Sequence, residues 1–183
     1  MMRNFIDRRF PWFLDKFDSY RYPIQKIDVA RYFILYYYGG VYLDLDISCP
    51  QGLDSLLDTM NEMRKTSMIL MTNPIGYSND VMFAARRNPF FHELTKSLMM
   101  HDGWYGSEYL TIMFTTGPMY ISTMYQNMPR KIKNDIGILH PELYSPPKGA
   151  TYKFFQHLKG QSWHGKVRKI ASCNGMFIFK FSS

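Results

Sequence analysis

"DVARYFILYYYGGVYLDLDI", residues 28 to 47, reads as a helix, a glycine turn and a strand in direct succession. Upstream, Pro23 suits the first position of a helix, and Ile27, Ala30, Ile34 and Tyr38 recur at three- and four-residue spacing. The spacing predicts a helix from Pro23 to about Tyr38 with one apolar face, capped by Gly39. Val41, Leu43, Leu45 and Ile47 then alternate with Tyr42, Asp44 and Asp46, which predicts a strand over Val41–Ile47 closed by Cys49-Pro50. Alternate strand residues point the same way about 6.5–7 Å apart. Asp44 and Asp46 are therefore expected to project together, with Tyr42 beside them.

Two like charges that close on a half-buried surface resist desolvation. Protonation, exposure to water or a bound cation would each relieve them. An all-oxygen pair suits Mg²⁺ or Mn²⁺, which keep waters and bind substrate phosphates. A wet edge strand with outward acids is the plain alternative. Asp28 and Arg31 lie three apart, on one face of the preceding helix. By themselves they could be a surface ion pair of little worth. Together with Gly39-Gly40, Tyr42, Asp44 and Asp46 they supply a cation, a sharp turn, an aromatic plate and a metal site. Those are the parts needed to hold a nucleotide diphosphate.

Outward from this stretch, a short aromatic-rich helix is expected around Phe10–Phe17, another helix at Leu53–Lys65 and a strand at Ser67–Thr72. "NPIGYSND" (73–80) reads as a loop, with Ser78 or Asn79 capping a helix over Val81–Arg86. Further helices are expected over Phe90–Met100 and on both sides of Gly117-Pro118. "GILHPELYSPP" holds a short strand, and "NGMFIFKF" another near the end. Helices alternating with short strands predict an α/β sandwich with a mostly parallel sheet.

The 183 residues, 46% hydrophobic and 20% charged, suffice for one domain with a true core. No run approaches the roughly 18 apolar residues that span a bilayer, and charges interrupt every apolar stretch of the first seventeen residues, unlike a signal peptide. The net charge of +7 is scattered, apart from "HGKVRK" at 164–169. Two cysteines, Cys49 and Cys173, leave a disulfide open and exclude a metal site of Cys/His spacing.

The stretch quoted at the outset resembles the sugar-binding region with a DXD motif of glycosyltransferase family 32. "GYSNDVMFAARRNPFF", "YLTIMFTTGPMYIS" and "FFQHLKGQSWHG" extend the likeness over roughly residues 10 to 165, as successive blocks similar to fungal mannosyl-inositol-phosphoceramide synthase catalytic subunits. The resemblance implies a GT-A-type α/β sandwich over residues 1–183, with retention of anomeric configuration. It implies that Asp46 binds Mn²⁺ or Mg²⁺ directly, and that Asp44 contacts donor hydroxyls and supports the metal. Asp28 and Arg31 would position the donor sugar and Tyr42 would lie near the diphosphate. Asn79 and Asp80 would face sugar and acceptor, with Asp80 the nucleophile if an intermediate is covalent. Ser162, Trp163 and His157, in "HLKGQSWHG", would close over the donor.

The implied partners are a nucleotide sugar, GDP-mannose foremost, and a glycolipid or glycan acceptor, with no nucleic acid. Membrane association or a regulatory membrane subunit, in the Golgi or secretory pathway, follows from the same likeness. Family members begin with a strand of the "IPKIIHQ" type that helps hold the base, and nothing similar precedes Phe10. The expectation is thus a sandwich short of its N-terminal strand. A non-catalytic, nucleotide-sugar-binding remnant is one alternative. "VYLDLDIS" also resembles the strand of haloacid-dehalogenase-type phosphatases, with Asp44 as nucleophile and Asp46 as acid/base. That chemistry needs a downstream Lys and a second acidic pair, and no convincing pair is found.

Overall fold

The computed structural model describes residues 1–50, 52–143, 154–157 and 177–179. Three helices, α1 (Met2–Arg9), α2 (Leu14–Ser19) and α3 (Pro23–Tyr38), lead into strand β1 (Gly40–Leu43). The helix expected around Phe10–Phe17 is divided, because Pro11 has no N–H to continue α1 and opens a single 3₁₀ turn instead. The short strand β2 (Ile47–Ser48), helix α4 (Asp54–Glu62) and strands β3 (Ser67–Met71) and β4 (Tyr77–Ala84) follow. Helices α5 (Pro89–Ser97), α6 (Glu108–Thr115), α7 (Pro118–Asn127) and α8 (Arg130–Asn134) precede β5 (Ile136–Leu139), β6 (Gln156–His157) and β7 (Phe177–Phe179).

The α/β class and the helix-flanked sheet are as expected. The mostly parallel sheet is not. The main sheet has the order β5-β3-β4-β1-β7, and among the described residues only β3 and β5 pair in parallel. The cause lies at Val81–Arg86, expected as a helix and found mainly as the end of β4. "NPIGYSND" is not one loop: Thr72–Gly76 is a tight turn, closed by Thr72 N–H on the Gly76 carbonyl at 2.9 Å, and Tyr77 onward is strand. So short a connection can only join antiparallel strands. It inserts β4 between β1 and β3, antiparallel to both.

Strand alternation then sorts two cores. Tyr42, Ile69, Met82 and Ala84 face the aromatic cluster built with α1, α3, α5 and α7, which includes Phe10, Phe13, Phe33 and Tyr120. Val41, Leu43, Met68, Leu70, Val81 and Phe83 face the opposite cluster, with Leu56 and Met60 of α4 and with Phe154 and Phe155. A strand covered on both faces must be apolar at nearly every position, which explains why the inner strands carry so few polar side chains.

Two features place the site. Gly39 ends α3 at φ +70, and a Cβ there would sit 2.6 Å from Arg86 N and 2.9 Å from Ala84 O, so α3 can lie against the end of β4. On β4 the register jumps: Ile69 opposes Met82, but Leu70 opposes Ser78. Asn79, Asp80 and Val81 are the extra residues of that bulge, which re-aims them away from the β3 ladder. Among the described residues, no helix is long and apolar enough to cross a membrane.

Candidate active site

The strand that was to carry both acids stops one residue before the first. β1 ends at Leu43; Asp44 N–H still reaches the Asp80 carbonyl at 2.9 Å, and the Asp44 carbonyl turns back to accept from Ile47 N–H at 2.9 Å. Asp44 therefore opens a tight turn with Asp46 inside it, and the two do not project in parallel from a continuous strand. Leu45 at its corner is 47% exposed, which breaks the expected apolar face. A carboxylate pair held between two apolar cores would need two counter-cations. The chain turns outward instead, and gives one cation to Asp44.

That cation is Arg31. Its guanidinium lies 3.0 Å from Asp28 Oδ1 and 3.2 Å from Asp44 Oδ1, and it donates to the Asn79 carbonyl at 2.7 Å. Asp28 and Arg31 are 4% and 3% exposed, so theirs is a buried ion pair, unlike the surface pair that spacing alone allowed. Arg31 also stacks over the Tyr42 ring at 4.7 Å, while the Tyr42 hydroxyl donates to Asp44 Oδ1 at 2.6 Å. Burial first, and then the Asp44 carboxylate against the opposing pull of Arg31, raises the Tyr42 phenol, so it stays a donor. Tyr42, Asp44 and Arg31 thus form a closed triangle in which each member orients the other two.

Asp28 is held as firmly. Asn79 Nδ2 donates to its Oδ1 at 3.2 Å, and Thr116 Oγ1 donates to its Oδ2 at 3.0 Å. Tyr32 joins both donors, accepting from Asn79 Nδ2 at 3.1 Å and donating to the Thr116 carbonyl at 2.7 Å. Burial pushes the Asp28 carboxyl up to about 6, with Arg31, Thr116 and Asn79 pulling the other way. Tyr32 and Thr116 were not anticipated. Tyr32 is hidden in a run of aromatics, and the "TTGP" stretch reads as a backbone break. Its Gly117 does serve packing, since a Cβ would meet Ile112 O at 3.1 Å, but the Thr before it belongs to the site.

Five anticipated residues, Asp28, Arg31, Tyr42, Asp44 and Asn79, therefore meet in one network. Asp80 sits beside it on the β4 bulge, with its carboxylate accepting from Ser78 Oγ. No helix begins at Val81, so Ser78 and Asn79 are not helix caps. His157 lies on β6, whose backbone pairs with β2 in the register Ile47↔His157, next to the Asp44–Ile47 turn. Ser162 and Trp163 lie outside the described residues, as does Cys173.

The oxygen donors fit a divalent ion completed by a substrate. Asp44 is already oriented by Tyr42 and Arg31, and Asp46 is half-buried at the turn. Among the described residues no group of three or more His, Cys, Asp or Glu could enclose an ion without outside ligands. Two carboxylates with substrate phosphates are an ordinary Mg²⁺ or Mn²⁺ arrangement.

Known proteins resemble the chain over the stretch that carries most of this network. The family described as glycosyltransferase sugar-binding region containing DXD motif matches residues 1–63, which hold Asp28, Arg31, Tyr42, Asp44 and Asp46. Over these residues the chain resembles that family. The sugar-binding region continues into wider similarity. The chain is 44% identical over 167 residues to mannosyl phosphorylinositol ceramide synthase SUR1 of Saccharomyces cerevisiae, covering 90% of this chain and 41% of that protein. It is 42% identical over 168 residues to inositol phosphoceramide mannosyltransferase 3 of Schizosaccharomyces pombe, covering 89% of this chain and 44% of the relative. An uncharacterized glycosyltransferase, L373, of Acanthamoeba polyphaga mimivirus is 29% identical over 97% of this chain and 74% of its own length. The chain thus spans less than half the length of those two fungal relatives. Among solved structures, PaToxG glycosyltransferase is a distant likeness, with a TM-score of 0.44 and 15% identity over 72% of this chain and 55% of its own.

Proposed function

We propose that this protein is a metal-dependent retaining glycosyltransferase that moves mannose from GDP-mannose to an inositol-phosphoceramide-type glycolipid. The observation that carries this reading is the Asp28–Arg31–Asp44 chain of ion pairs inside the matched DXD-containing region. The mannosyl group and the acceptor follow the names of the fungal relatives, and GDP as its carrier follows from the family resemblance.

Each residue has a task in that reaction. Asp28 is a fixed negative charge with three donors, suited to the positive charge that develops on a sugar passing through an oxocarbenium-like state. Arg31 positions the donor sugar and holds Asp28 and Asp44 at a set separation. Asp44 contacts donor hydroxyls, and Tyr42 lies beside the diphosphate. Asp46, with Asp44 next to it, would hold Mn²⁺ or Mg²⁺. When bound, such an ion neutralises charge on the departing nucleoside diphosphate. Asn79 faces the sugar. Asp80 is the carboxylate for a covalent route, whereas a front-face route lets the leaving phosphate take the acceptor proton. By the family resemblance Ser162, Trp163 and His157 are assigned to donor binding, and the setting is a secretory-pathway membrane, with membrane association or a regulatory membrane subunit.

The matched family and relatives carry glycosyltransferase names, so the aspartyl phosphotransferase reading is not favoured. The test follows donor hydrolysis and transfer with GDP-mannose, UDP-glucose and UDP-galactose, with and without Mn²⁺, beside an Asp46→Ala variant. Mannose transfer that needs metal and is lost in the variant is expected. Hydrolysis of a generic phosphate ester without nucleotide-sugar binding would sink the proposal. Metal-dependent binding without turnover would mark a non-catalytic remnant.

A further inference from the structure

Gln25, Asp28 and Arg31 follow one another at three-residue spacing, so the polar line of the site continues toward the start of α3. Gln25 lies about 4.5 Å along the axis from Asp28. Its Nε2 donates to Thr115 Oγ1 at 2.8 Å, and the adjacent Thr116 holds Asp28. At this end of the line a pocket of about 170 Å³ opens, bounded in part by Lys16, Tyr20, Arg21, Gln25, Trp104 and Thr111.

Its lining is chemically pointed. Lys16 is 8% exposed and reaches Asp102 at 2.7 Å, and the Arg21 guanidinium lies 6.0 Å from the Trp104 ring. Two cations therefore stand against one carboxylate. Tyr20 is 6% exposed, yet its hydroxyl has no hydrogen-bond partner among the described residues. Trp104 is 60% exposed, and Tyr105, Tyr109 and Leu110 after it are 41–45% exposed. Anchoring the loop to α2 would account for Lys16 and Asp102 but not for the buried hydroxyl or the open indole. The volume of about 170 Å³ is below that of a drug-sized site, so it suits only a small polar group.

We infer that this pocket is the acceptor subsite and takes a phosphorylated polyol headgroup. The phosphate meets Lys16 and Arg21, ring hydroxyls meet Gln25 and Tyr20, and Trp104 covers the apolar face of the ring. The assignment rests on the transferase reading of the Asp44 site, because it gives that site its second substrate.

Calorimetric titration of the full chain tests it, using inositol 1-phosphate, myo-inositol and inorganic phosphate as probes. Arg21→Ala and Trp104→Ala are the variants; both side chains are exposed, so the fold should tolerate them. Inositol 1-phosphate should bind at least tenfold more tightly than either fragment, and each variant should weaken it at least tenfold. GDP-mannose affinity with Mn²⁺ should be the same in both variants as in the parent. Micelles containing phosphatidylinositol, set against phosphatidylcholine micelles, separate a lipid headgroup from a free phosphorylated polyol. Either source supports the subsite if competition with inositol 1-phosphate is seen. Inorganic phosphate binding as tightly as inositol 1-phosphate, or variants that bind like the parent, would overturn it. Binding of inositol 1-phosphate without any GDP-mannose binding would retain the subsite chemistry and sink the transferase reading; the reverse sinks the subsite alone.

Discussion

Arg31 shows how much one side chain can organise. Its planar fork reaches two carboxylates and a backbone carbonyl, and its face covers Tyr42. A lysine keeps the charge but cannot make those contacts at once. Arg31→Lys should therefore lower kcat/KM for donor turnover by a hundredfold or more, in line with about 3 kcal/mol for breaking a buried pair. Tyr42→Phe removes one hydrogen bond and should cost only about fivefold, roughly 1 kcal/mol. Equal losses in steady-state assays would show that Arg31 does not organise the site. Asp28 adds a pH signature. Its carboxyl is pushed up to about 6 by burial, from an unfolded value near 3.9. Between those values the folded state holds the extra proton, so this group's contribution to stability is fully present below about pH 4 and declines as pH rises to about 6. Thermal melts without metal should show the parent losing stability relative to Asp28→Asn across that window. A relative gain with rising pH would contradict the burial argument. The pair Asp28 and Arg31 is visible in sequence as a three-residue spacing, but whether it lies in water or in the core is not. Its burial follows from α3 being covered by β4 and by the α6–α7 junction, which lie far along the chain.

Elements position these residues through two special connections. Gly39 is legible as a helix cap. The contact with Arg86 and Ala84 backbone is not, because it comes from a strand more than forty residues later. Gly39→Ala should destabilise by more than the 1–2 kcal/mol that positive φ alone costs an alanine, because the backbone clash adds to it. Denaturant titration checks this, and a loss under 1 kcal/mol would show that the helix–strand junction yields easily. The second connection is Asn88, before α5. Its Oδ1 accepts from Phe90 and Phe91 N–H at 2.9 and 3.3 Å, while its Nδ2 donates to the Thr66 carbonyl at 3.0 Å. It caps a helix and ties it to the start of β3, so Asn88→Ala should cost about 2 kcal/mol, the upper end for a cap. The β4 strand is the element that local pattern misreads. Ser78 and Asn79 before a hydrophobic run look like helix caps, and only pairing with β1 and β3 selects the strand and its bulge.

For the whole molecule, the sheet is a partition between two cores, and the Arg31 network gathers where β1 ends and β4 bulges. Phe83 of β4 is fully buried in the α4-side core, away from the Arg31 network. Phe83→Ala should cost about 3–5 kcal/mol in unfolding free energy. Near-native stability would mean that the two cores do not depend on the shared sheet. By itself the sequence determined the helix–glycine–strand order, the apolar alternation of β1 and the presence of Asp28, Arg31, Tyr42, Asp44 and Asp46 within twenty residues. These are local properties, set by periodicity, backbone freedom and residue chemistry. The tertiary structure alone decided that β1 ends at Leu43, that Asp44 is paired through Arg31 and Tyr42 while Asp46 lies within the turn, and that Tyr32 and Thr116 join the Asp28 network. Burial and hydrogen bonding depend on which distant segments cover a side chain, and no local pattern carries that information.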